Sequence, residues 1–153
     1  MRTLLPLFIA SLALVAPIQA GSDIAVITGK SASGRTEVKL EIGDVTGPME
    51  AGSVTIDGVD ITFDIEDDCA AVFDDALGVY TIVVIGKPTE KFPNGRYLTF
   101  YAVPKTMKKT GRTKEGKDIW TFDAFLTVTE PRADKDSLIS PKIAVQCRMV
   151  YGI

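Results

Sequence analysis

The densest run of oxygen donors in the chain is acidic: Asp64, Glu66, Asp67, Asp68, Asp74 and Asp75. Hard cations such as calcium take several carboxylate oxygens at about 2.3–2.6 Å, which makes Asp64, Glu66, Asp67 and Asp68 a weak calcium candidate. An EF-hand loop over 64–75 fails, because its sixth position is Cys69 rather than Gly and its last is Asp75 rather than a bidentate Glu. The same carboxylates would serve a carboxylate-based hydrolase if two of them faced each other about 5–9.5 Å apart across a cleft. The preferred reading is a solvated strand end whose charges discourage edge pairing. No metal site and no cofactor are expected.

Histidine is absent from the 153 residues. A Ser-His-Asp triad, a Cys-His pair and an HExxH zinc site are therefore excluded, and acid–base chemistry would need retuned carboxylates, Lys or Tyr. Gly29-Lys30-Ser31 resembles the end of a phosphate-binding loop, but the first glycine of that motif would fall at Ile24. No Ser precedes a Lys by three positions, so the serine–lysine acyl-enzyme motif is missing as well. The expectation is a protein that is not an enzyme.

The second charged feature is basic. Lys105, Lys108, Lys109, Arg112, Lys114 and Lys117 lie within thirteen residues, opposed only by Glu115. Such a connection suits an anionic polysaccharide, lipid headgroups or an acidic protein surface. It lacks the interleaved aromatics of a single-strand nucleic-acid groove, so no nucleic-acid partner is expected. Tyr97 and Tyr101 alternate with Thr99 and would share one strand face, where they would stack on a sugar or pack across strands.

Cys69 and Cys147 are the only cysteines. In an exported protein the default is one disulfide, closing a loop of nearly eighty residues. Export is read from the start of the chain. Arg2 precedes an almost wholly apolar run from Leu4 to Val15, Pro17 breaks it, and Ala20 is a small residue at the cleavage point. This is the pattern of a secretory signal peptide over 1–20, and the run is too short to span a bilayer. No later segment has 18 consecutive apolar residues, so no transmembrane span is expected in the mature chain. The expected location is the bacterial periplasm or the exterior.

The elements that must position these groups read as strands. Residues 21–153 are expected to form one domain. Val, Ile and Thr supply 39 of those residues and Leu only 5, which favours pleated surfaces over helices. Val38, Leu40 and Ile42 alternate with Glu37, Lys39 and Glu41, and Asp57-Gly58 separates two alternating runs as a hairpin turn does. A second hairpin is expected around 74–78. Val79 to Ile85 is apolar on both faces and predicts a central strand, and Trp120, Phe122, Ala124, Leu126 and Val128 predict one buried face. Segments 43–52 and 105–117 read as connections, and 131–141 as a polar loop with room for a short helical turn. The fold class is all-β: an antiparallel β-sandwich or barrel of about nine strands.

Charge is unevenly distributed. Residues 21–86 carry 3 cations and 13 anions, whereas 87–153 carry 13 cations and 7 anions. The expected function is an exported, non-catalytic β domain that binds an envelope protein or an anionic glycan through 105–117. The alternatives are a periplasmic inhibitor of a hydrolase and the carboxylate-based hydrolase above.

Overall fold

A computed structural model describes residues 23–130 and 138–152. The expected leader over 1–20 and residues 131–137 of the polar connection lie outside them. Among the described residues there is no helix, and none therefore long and apolar enough to cross a membrane. The described residues form eleven strands: β1 (Ile24–Lys30), β2 (Thr36–Gly43), β3 (Met49–Ile56), β4 (Val59–Asp64), β5 (Asp68–Asp74), β6 (Val79–Gly86), β7 (Arg96–Ala102), β8 (Lys108–Arg112), β9 (Asp118–Glu130), β10 (Leu138–Ile139) and β11 (Ile143–Tyr151). They form one antiparallel sheet in the order β4-β3-β2-β1-β11-β9-β7-β6-β5, with β8 and β10 attached to β9.

Local pattern explains most of these elements. Val38, Leu40 and Ile42 are buried on β2, while Glu37 and Lys39 face solvent. Asp57 and Gly58 both have positive φ, 48° and 81°, which the tight β3–β4 turn requires. The 13 residues of β9 make it the hub. One edge pairs with β11, and the other pairs first with β8 and then with β7. Phe122, Ala124, Leu126 and Val128 are buried as their alternation predicts, and Trp120 is half-buried against the same core.

Three expectations are corrected. The strand β8 lies inside the expected basic connection. It has no apolar pattern, all five of its residues are exposed, and the backbone ladder to β9 holds it. The strand β3 begins at Met49, inside the expected 43–52 loop. The strand β6 is not central but second from the sheet's end, so its outward Val83 and Ile85 stay exposed.

The sheet curls into a half-barrel around one hydrophobic core. Its terminal strands β4 and β5 do not pair, so side chains must join the ends. Arg96 on β7 reaches across the interior and donates from Nε to the Thr62 carbonyl of β4 at 2.7 Å. It donates further to the Lys87 carbonyl and to Asp67 Oδ2, each at 2.6 Å. Its guanidinium lies between the Phe63 and Phe92 rings, 5.2 and 5.3 Å from their centroids. Gly86 makes the passage possible, since a Cβ there would sit 2.8 Å from the Arg96 side chain. At the other end of the curl, Tyr80 of β6 donates its hydroxyl to the Val45 carbonyl in the β2–β3 turn at 2.8 Å.

The expected disulfide is not formed: Cys69 and Cys147 are both free. Cys69 lies on the end strand β5, and Cys147 lies on β11, four strand steps away in the sheet. Through the β6 and β7 registers Cys69 also aligns with Val128 of β9 and Cys147 with Phe122, an offset of about 20 Å along the strand, against a Cα separation of at most about 7 Å in a disulfide. The Cys147 sulfur occupies the space over Gly29, where an added Cβ would meet it at 2.7 Å.

Candidate functional site

The acidic run does not converge. Asp67 is buried, and its carboxylate accepts from Arg96, from the Lys87 amide at 2.9 Å and from the Asp64 amide at 3.0 Å. Asp64 accepts from the Glu66 amide, and Asp74 accepts from the Leu77 amide. These carboxylates shape the β4–β5 and β5–β6 turns. Among the described residues no group of three His, Cys, Asp or Glu side chains could hold a metal ion. Of the calcium candidate Asp64, Glu66, Asp67 and Asp68, the Asp67 carboxylate is taken up by the buried ion pair with Arg96 and by two backbone amides.

A different concavity carries the concentrated charge. It is an open trough of about 950 Å³ on the outer face of the sheet, running over β3, β2, β1, β11 and β9 to the β7–β8 link and β8. Five cationic side chains line it, Lys30, Lys39, Lys105, Lys108 and Arg148, against two carboxylates, Glu37 and Asp123. Strand register builds it. Lys108 pairs with Thr121, Thr121 with Arg148, Arg148 with Thr28, Thr28 with Lys39, and Lys39 with Ser53. These residues form one row across the strands. In the next row Asp123, Gln146, Lys30, Glu37 and Thr55 follow by the same registers.

Some of this charge is already compensated. Lys30 contacts Glu37 at 2.8 Å, and Lys39 contacts Glu41 at 2.7 Å. No described carboxylate pairs with Lys105, Lys108 or Arg148. The turn that carries Lys105 is stapled to β9. The Val103 amide donates to the Asp123 carbonyl at 2.7 Å, and the Asp123 amide donates to the Thr106 hydroxyl at 3.1 Å. Lys105 itself has a φ of 68°, an uncommon conformation for a residue with a Cβ.

Of the sequence candidates, Lys105 and Lys108 reach the trough. Lys109 and Arg112 instead share Asp118, at 2.6 and 2.8 Å. Lys114 and Lys117 belong to the β8–β9 turn, where the Lys117 stem packs on Gly152. Tyr97 and Tyr101 share the outer face of β7, as their spacing predicts, but neither lines the trough. Tyr101 packs on Phe125 with ring centroids 5.7 Å apart, and Lys142 Nζ lies over both rings. Sequence reasoning missed Arg148 altogether, weighed Lys30 only within a failed phosphate-loop motif and placed Lys39 only on a solvated strand face. Comparison with protein-family models, curated proteins and solved structures finds no match.

Proposed function

We propose that this protein is an exported, non-catalytic binding domain, and that its ligand is an anionic glycan held along the outer-face trough. The observation that carries the reading is the composition of the trough: five cations against two carboxylates, on a floor of Thr, Ser and Gln. Hydroxyl and amide side chains offer donors and acceptors to sugar hydroxyls, and Lys105, Lys108 and Arg148, which pair with no carboxylate among the described residues, offer charge to an acid group. An open trough admits the middle of a polymer and does not require its end. Glu37 is paired with Lys30, so the lining presents no pair of free carboxylates for hydrolysis.

The test compares two variants on an immobilised acidic polysaccharide, eluted with rising salt. Lys39→Ser/Lys108→Ser/Arg148→Ser should lose about tenfold or more in affinity, since each exposed ion pair is worth up to about 1 kcal/mol. Lys109→Ser/Arg112→Ser removes as dense a pair of charges from the same segment, outside the trough, and should elute with the parent protein. Equal elution of the triple variant and the parent would refute the proposal.

A further inference from the structure

The row Lys108–Thr121–Arg148–Thr28–Lys39–Ser53 alternates in charge type: cation, threonine, cation, threonine, cation, serine. Neighbouring strands in a sheet lie about 4.8 Å apart, so the cations recur at roughly 10 Å with a hydroxyl midway between them. The alternation results from pairing six strands in one register, and no single segment of sequence contains it.

From this period we infer that the ligand is a sparsely charged acidic polysaccharide, with one anionic group per disaccharide and neutral hydroxyls between. The inference rests on the trough being the binding site. A phosphate backbone carries a charge about every 3.4 Å along a strand. Laid along the row it would set two of every three charges against threonine hydroxyls. Those charges would give up hydration without a cation and would face Asp123 in the adjoining row, where Glu37 is already paired with Lys30. A sugar chain with spaced acids places each acid on a cation and its hydroxyls on Thr121, Thr28 and Ser53.

Salt dependence separates the two cases independently of affinity. Two unit charges in water interact with thermal energy at a separation of about 7 Å. A polymer with charges roughly 10 Å apart lies beyond that limit and condenses few counterions, so its binding should weaken only gently with salt. A dense polyphosphate releases condensed counterions and should weaken steeply.

The experiment titrates the full chain, at several salt concentrations spanning about 0.15 M, with a hyaluronan decasaccharide, which has one carboxylate per disaccharide, and with inorganic polyphosphate of equal contour length. The decasaccharide should bind more tightly with the shallower salt slope, and Arg148→Ser or Lys108→Ser should weaken it about three- to fivefold each. Thr28→Lys fills a gap in the row on an exposed strand position, and should raise polyphosphate binding about fivefold without helping the decasaccharide. Tighter binding of polyphosphate, with loss on Arg148→Ser, would overturn the charge-spacing inference and leave the trough as a general polyanion site. Binding of neither probe would overturn both readings.

Discussion

Asp67→Asn and Arg96→Met test whether the curl is held by one buried ion pair. Both side chains are 2% exposed, and their charged atoms meet at 2.6 Å. Asparagine at 67 keeps the shape and removes the charge, leaving a guanidinium buried with two backbone carbonyls and no anion. Breaking a buried pair from one side costs about 3–5 kcal/mol. Methionine at 96 instead strands a carboxylate that still accepts from the Lys87 and Asp64 amides, and leaves the Thr62 and Lys87 carbonyls without their donor. Each orphaned buried group costs about 1–3 kcal/mol, so this variant should lose at least as much. Against a total stability of about 5–15 kcal/mol, either change removes a large share.

The two losses should not add, because each variant already loses the same contact. Asp67→Leu/Arg96→Met replaces both charges with apolar groups and should cost clearly less than the sum of the single changes. Urea unfolding followed by Trp120 fluorescence supplies the free energies, with the half-buried indole reporting the core. Single-variant losses below about 1 kcal/mol, or strict additivity, would refute the account.

Gly29→Ala should destabilise by about 1–3 kcal/mol through overpacking, because its Cβ would lie 2.7 Å from the Cys147 sulfur and 2.9 Å from Val38 Cγ1. Adding Cys147→Ala should restore part of that loss, and urea midpoints that fail to recover would show the clash lies elsewhere. Two thiols should titrate per chain in non-reducing denaturant, whereas an intact mass two hydrogens low would contradict the separation of Cys69 and Cys147. Burial, assisted by the nearby Asp123 carboxylate, pushes the Cys147 thiol from 9.0 up to about 12. The folded chain then keeps a proton that the unfolded chain has released. Stability from this group is therefore complete below about pH 9 and lost toward pH 12, at about 1.4 kcal/mol per pH unit. Urea midpoints at pH 8, 10 and 11 should fall less steeply for Cys147→Ala, and parallel slopes would rule the linkage out.

What could be read from the sequence was local, and what could not was register. The alternation of Val38, Leu40 and Ile42 sets one strand's faces, and the Asp57-Gly58 pair sets one turn, because each depends on neighbours two positions away or fewer. The strand β6 misled for the same reason: its residues are apolar on both faces, but only its place second from the end decides that Ile85 is 49% exposed. The strand β8 was hidden because a ladder to β9, and no burial, makes it a strand. The ion pair of Arg96 with Asp67 was invisible because single charged residues are rarely placed inside, and only the curl brings them together.

The charge imbalance between the halves then takes a different meaning. Only Lys30, Arg35 and Lys39 are cationic between residues 21 and 86, and two of these three line the trough. The acidic half thus contributes its scarce cations to the same surface as Lys105, Lys108 and Arg148. Half-by-half sums separate what the β1–β11 pairing unites. A basic segment found by counting is a poor guide here, since most of its charge is used locally or lies outside the trough. Three of the five cations that converge, Lys108, Arg148 and Lys39, are those that register places at every second strand.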